Sequence, residues 1–163
     1  MDRVIDVAAY ITRKYKSVSH EVLDEMKLHK LLYFTQREAF AIIGRPAFDG
    51  IFEGWKYGPV CREVRIVYYN GDIIADTHDI SEEIKYIADN VIYEYGSMAS
   101  WKLSDISHDD QSWKNARKGL APDEMGTTPI KNEDIIEDAK KIRPYDHVWD
   151  MYYDEFDDEA VLS

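Results

Sequence analysis

The sequence predicts a mainly α protein: a single compact helical domain of six to seven helices, with room for one short β-hairpin and an acidic, aromatic C-terminal tail. Three observations lead there. Apolar residues recur at helical spacing in several separate segments. Glycine, proline and Asn-Gly breakers separate those segments at helix-length intervals. No run of alternating apolar and polar residues reads convincingly as a series of strands. The length of 163 residues suits one domain, able to bury roughly 68–70% of its unfolded surface without covalent staples.

The first helix is expected from Val4, Val7, Ala8 and Ile11, which follow i, i+3, i+4, i+7, with Tyr10 alongside. In the second, Leu28, Leu31, Leu32, Ala39, Ile42 and Ile43 form a core stripe, and His29 beside it reads as surface or boundary. Gly44 stands where a C′ glycine ends a helix, and Arg45-Pro46 prevents its resumption. Residues 45–58 read as a compact loop with a short hairpin at 51–55. The third helix is expected to open at Pro59, since proline suits the first helical position, and to turn Val60, Val64, Val67 and Tyr68 inward before Asn70-Gly71.

A fourth helix over 81–95 carries Ile80, Ile84, Ile87, Ala88, Val91, Ile92 and Tyr95 on one face. Asp79 and Glu82 have capping-box spacing at its start, and Gly96 closes it. Ser97 is expected to cap a short fifth helix holding Met98, Trp101 and Leu103. A sixth spans 110–118. After a loop at 120–129, Asn132 caps a seventh with Ile135, Ile136, Ala139 and Ile142 packed, stopped by Pro144. The domain thus covers residues 1–143 and the tail 144–163.

Charge narrows the function classes. The net charge is −12, which argues against nucleic-acid binding, because that draws most of its affinity from Lys and Arg on phosphates. Residues 145–163 carry seven acidic side chains and no Lys or Arg, leaving an ordinary −5 for residues 1–144. The tail also holds Tyr145, Trp149, Tyr152, Tyr153 and Phe156, more aromatics than a purely solvating segment needs, so docking on the body or on a basic partner competes with a solvated role. The start lacks the basic-then-apolar pattern of a signal peptide, and no apolar run approaches the roughly 20 residues of a membrane span. A soluble cytoplasmic protein is expected.

The search for chemistry returns little. Cys61 lies near an expected helix N-terminus, where the dipole favours a thiolate, and five histidines are available as a base. A Cys–His hydrolase is therefore conceivable, although a small buried cysteine usually behaves as a hydrophobe. Ser107-His108-Asp109-Asp110 matches no metal-ligand spacing, and two acids before a helix are explained by capping. Gly50, Gly54 and Gly58 fit no phosphate-loop fingerprint. No catalytic residue, metal or cofactor is expected.

Several blocks, in order, do resemble a known pattern. Lys27-Leu28-His29-Lys30-Leu31-Leu32-Tyr33-Phe34 is similar to K-L-x-K-L-L-Y-aromatic. Phe48, then Phe52-Glu53-Gly54-Trp55-Lys56-Tyr57-Gly58-Pro59-Val60, resembles F…F-E-A-W-x-Y-G-P-V. Tyr95-Gly96, Leu103-Ser104-Asp105-Ile106-Ser107-His108 and Trp113-Lys114-Asn115-Ala116-Arg117 resemble Y-G…L-S-x-x-T-H…P-W-x-x-A-R, and Ile130 with Asn132 to Ile135 resembles I-x-N-E-x-I. This is the pattern of the Panacea domain, found in SocA-like antitoxins and many phage-associated proteins. Gly54, Ser107 and Ser112 depart from its usual alanine, threonine and proline, and Cys61 stands where it usually has an aliphatic residue.

The resemblance implies a type II antitoxin that binds and neutralises a co-encoded protein toxin, as a chaperone-like cap or as an adaptor to a AAA+ protease. A phage protein directed at a host target is the alternative outside enzymes. Stable capture needs a few anchor residues, typically Trp, Tyr or Arg. Trp55, Lys56 and Tyr57, with His108 and Trp113 close by, are the candidate anchors; Trp149, Tyr152 and Tyr153 are candidates on the tail. For the shared motif, a purely scaffolding role stands as the other reading.

Overall fold

The computed structural model describes residues 1–71, 73 and 77–142. Along the chain lie β1 (Asp2–Arg3), α1 (Val4–Ser19), α2 (Glu25–Ile42), β2 (Phe48–Asp49), β3 (Phe52–Trp55), β4 (Gly58–Cys61), α3 (Arg62–Tyr69), α4 (Glu82–Tyr95), α5 (Ser100–His108), α6 (Gln111–Ala116) and α7 (Asn132–Ala139). The architecture is mainly α. Two small sheets complete it: β1 with β2, parallel, and β3 with β4, antiparallel.

The axis of the fold is α2. Asp24 caps it, its carboxylate accepting the Lys27 N–H at 2.8 Å, a contact worth about 1 kcal/mol. Gly44, at φ +69°, follows its last turn. Between these ends the residues from Lys27 to Ala39 are all buried. The expected apolar stripe is there, but it is only one side of a helix enclosed by α1, α4, α5, α7 and the β3–β4 hairpin. A helix buried on all sides must satisfy its polar residues internally. Lys27 donates to the Gly96 carbonyl and the Tyr15 hydroxyl. Thr35 returns its hydroxyl to the Leu31 carbonyl. Gln36 clamps β2, donating to the Phe48 carbonyl and accepting from the Ala47 N–H. Arg37 reaches Asp110 at 2.9 Å, and the same carboxylate accepts the Tyr33 hydroxyl at 2.6 Å. His29, read from sequence as a surface or boundary residue, is 1% exposed.

Pro59 does not open a helix. It sits in β4, opposite Gly54, in a hairpin whose two-residue turn is Lys56-Tyr57. Pairs alternate between hydrogen-bonded and non-hydrogen-bonded along such a ladder. Gly54 uses its N–H on the Thr128 carbonyl and its carbonyl on Arg117, so it asks nothing of Pro59. A proline without an N–H fits there at no cost. The third helix starts three residues later, at Arg62, and buries Val64, with Val67 and Tyr68 half-buried. Residues 128–130 extend the hairpin: Ile130 donates to the Phe52 carbonyl, and Glu53 bridges to Pro129.

The remaining helices differ from expectation at their ends. Ser81 is the N-cap of α4, and Asp79 pairs with Lys85 in place of capping. The predicted inward face of α4 is buried throughout. The N-cap of α5 is Ala99, and Trp101 points outward at 67% exposure. Lys131 is the N-cap of α7; Ile135 and Ala139 are buried but Ile136 is exposed. Asp110 is the N-cap of α6, yet its carboxylate is committed to Tyr33 and Arg37. The open N–H groups of α6 are instead taken by Asp138 of α7, which accepts from Gln111 and Ser112 at 2.9 and 2.8 Å. Among the described residues no helix is long and apolar enough to cross a membrane.

Candidate partner-binding site at the hairpin turn

The hairpin presents Trp55, Lys56 and Tyr57 at its tip, and the surroundings lock them. The Trp55 indole N–H donates to Glu53 at 2.8 Å, and Glu53 is held by Arg62 at 2.9 Å. Burial raises the Glu53 carboxyl's pKa, and its hydrogen bonds from Arg62 and Trp55 more than reverse that, leaving it below its ordinary value. The guanidiniums of Arg62 and Arg65 lie 5.9 and 5.2 Å from the Trp55 ring centre, within the range of cation–π attraction. Arg65 also pairs with Glu25 and covers the Tyr69 ring at 4.6 Å.

A second support comes from behind the turn. Trp113 of α6 donates its indole N–H to the Trp55 carbonyl at 2.8 Å, and His108 stacks on Trp113 with ring centres 3.9 Å apart. Burial lowers the His108 pKa, and the nearby positive charge of Lys30 adds to that. Arg117 fastens the following loop, donating to the Gly54, Ala121, Glu124 and Met125 carbonyls. The structure thus brings Trp55, Lys56, Tyr57, His108 and Trp113 into one neighbourhood, with Tyr57 at 55% exposure and Trp113 half-buried as a wedge. Trp149, Tyr152 and Tyr153 lie outside the described residues.

Between the turn and the first turns of α2 lies a pocket of about 250 Å³, lined by Met26, His29, Lys30, Trp55, Tyr57 and Met125 among others. Its floor is unusual. Lys30 is 1% exposed, and among the described residues its ammonium has neither a hydrogen-bond acceptor nor an ion-pair partner. Burial lowers its pKa to about 8, with Asp24 and Glu25 pulling the other way, so it remains mostly charged at neutral pH. Gly58 makes this arrangement possible. It has φ +122°, and a Cβ there would stand 2.6 Å from Lys30 Cε and 2.8 Å from Ser107 Oγ. The two blocks Lys-Leu-His-Lys and Tyr-Gly-Pro therefore meet at this floor.

His29 and Cys61 also meet here, without forming a nucleophile and base. The Cys61 backbone N–H donates to His29 Nδ1 at 3.3 Å, which leaves Nε2 carrying the proton toward Glu25 Oε1 at 3.4 Å. Burial drives the His29 pKa down to about 3, so the ring is neutral. Cys61 is the N-cap residue of α3, but it is buried, and that burial raises its thiol's pKa. A protonated, enclosed thiol fits a packing role. Among the described residues no group of three His, Cys, Asp or Glu side chains is placed to hold a metal ion.

Sequence reasoning missed Lys30, Arg37, Asp138 and Arg117. Nothing in their local pattern separates a buried cation or carboxylate from a solvated one; the partners of Arg37 and Asp138 lie on distant elements.

The profile of the SocA-like antitoxin, Panacea domain family matches residues 28–114, from the first turn of α2 into α6, which is more than half of the chain. The chain belongs to the SocA-like, Panacea-domain antitoxin family. It is similar to antitoxin SocA of Caulobacter vibrioides (strain NA1000 / CB15N), with 31% identity over 103 residues, covering 53% of this chain and 55% of that protein. The chain thus spans about half the length of the curated relative it matches. No solved structure matches it. The matched span holds the β3–β4 hairpin, Trp113 and Lys30; Met26, Arg117, Met125 and residues 128–130, which also line the pocket or brace the hairpin, lie outside it, as do α1 and α7.

Proposed function

We propose that this protein neutralises a co-encoded protein toxin by direct binding, using the face around the β3–β4 turn. The observation that carries the reading is the exposed cluster of Met26, Tyr57, Tyr69 and Met125 around the rigidly braced Trp55. Exposed large apolar and aromatic side chains grouped on one face mark interaction surfaces. Aromatic anchors fixed before contact lose little entropy on binding, so their area converts well into affinity. Arg62, Arg65 and Lys56 supply a polar rim.

The acidic tail would complement a basic toxin and speed encounter. Delivery of the toxin to a AAA+ protease is compatible with the same binding step. The buried, protonated thiol of Cys61 weighs against the hydrolase alternative. Co-expression with the neighbouring gene product, followed by purification through a tag on this chain, tests the reading. The expected result is a stable complex and rescue of growth. A neighbour that is harmless alone, or that never co-purifies, removes it.

A further inference from the structure

The pocket below Trp55 holds a feature that capture of a toxin by apolar contact alone does not need. A lysine ammonium is expensive to bury, and a structure that buries one normally supplies an acceptor. Here the neighbouring carboxylate, Glu25, is already engaged by Arg65 and His29. Lys30 lines the pocket with no hydrogen bond or ion pair to its ammonium among the described residues; Asp24 and Glu25 act on it only through their field. Met26, Trp55, Tyr57, Val60 and Met125 give it apolar and aromatic walls; Lys56, Arg65 and Glu25 line it too, so with Lys30 the cations outnumber the one carboxylate. At about 250 Å³ the space is smaller than the roughly 300–1,000 Å³ of small-molecule sites, and suits one anchoring group of a larger partner.

A second, more open depression of about 630 Å³ lies between α1 and α4, and the contrast is instructive. Its buried cation, Lys27, is already satisfied by the Gly96 carbonyl and the Tyr15 hydroxyl. Only the hairpin pocket keeps a buried charge in reserve among the described residues that line these two cavities.

We propose that the hairpin pocket is a carboxylate receptor: it takes one acidic side chain or chain terminus of the protein partner, with the carboxylate on Lys30 and the apolar stem against Trp55, Met26 and Met125. This rests on the toxin-binding reading and adds to it the chemistry of the anchor. The complex would replace an unpaired buried ammonium with a charge-assisted hydrogen bond, the stronger class of such contacts. The hydroxyl-bearing and amide side chains of a wrong partner would leave Lys30 unneutralised, which supplies discrimination as well as affinity.

The test uses phenylacetate and its uncharged isostere phenylacetamide as probes of the full-length protein, followed by tryptophan fluorescence and amide chemical shifts. Phenylacetate is expected to bind roughly tenfold or more tightly than the amide, as a desolvated ion pair requires. Lys30→Met should erase that preference. Tyr57→Ala, a change at an exposed position, should weaken phenylacetate without affecting the fold, and it keeps the test decisive if the Lys30 variant does not fold. Equal binding of both probes, or no binding of either, overturns the proposal. So does a gain in phenylacetate affinity when the seven tail carboxylates are converted to amides in the full chain, since the chain's own tail would then be the occupant; unchanged affinity supports a partner. A toxin that co-purifies equally with wild type, Lys30→Met and Tyr57→Ala sinks the receptor while sparing the antitoxin reading. Failure of the wild type to capture any neighbour sinks the antitoxin reading, and with it the assignment of the anchor to a toxin.

Discussion

Glu38 offers a quantitative test of the enclosed helix. It is 1% exposed, and neither carboxylate oxygen has a hydrogen-bond partner among the described residues. Burial raises its pKa from the ordinary 4.5 to about 8; Arg37 opposes the rise and Glu94 adds to it. A carboxyl shifted upward keeps its proton in the folded state and loses it more readily in the unfolded one. Its contribution is therefore whole below pH 4.5 and is lost as pH climbs toward 8. Linkage gives a penalty of about 1 kcal/mol at pH 5 and about 3 kcal/mol at pH 7. Glu38→Gln keeps the shape and cannot ionise. Urea unfolding of both proteins should show the variant gaining about 2–3 kcal/mol on the wild type between pH 5 and pH 7. Parallel stability profiles across that interval would refute the burial argument.

Three further outcomes follow from the same geometry. Asp110→Ala leaves Arg37 and the Tyr33 hydroxyl without their shared acceptor and should cost about 3–5 kcal/mol in chemical denaturation. Cys61→Ala should retain full neutralisation of the toxin in a growth-rescue assay, because the thiol is buried and protonated; loss of rescue by a folded variant would restore the hydrolase. Removing the chain after Arg143 should slow toxin association several-fold at low salt and much less at high salt, as screened steering requires; identical rates from stopped-flow measurements would remove the tail from the binding step.

The sequence carries those parts of the fold in which apolar spacing decides. Val4, Val7, Ala8 and Ile11 declare α1, and Ile84, Ile87, Val91 and Tyr95 declare α4, because each set forms one stripe against a single core. Periodicity misses what polar residues do. On α2 the stripe Leu28, Leu31 and Leu32 is visible, while the burial of Lys30, Arg37 and Glu38 depends on partners and layers far away in sequence; Tyr33 and Asp110 are 77 positions apart. Pro59 misleads for a local reason. A missing N–H is tolerated at a first helical position and equally at a non-hydrogen-bonded strand position, and only the bonds of Gly54 to Thr128 and Arg117 distinguish the two. The neighbourhood of Trp55, Tyr57, His108 and Trp113 was legible from ordered motifs; the empty charge beneath them was not.

The enclosure of α2 has a mechanical consequence. α1, α4, α5, α7 and the hairpin each rest on that one interior rod, so each is coupled to the others through it. Opening is expected to cost least at the exposed margins and most at the rod itself. Drawing that helix out would remove the support of the hairpin, which meets it where Gly58 packs on Lys30.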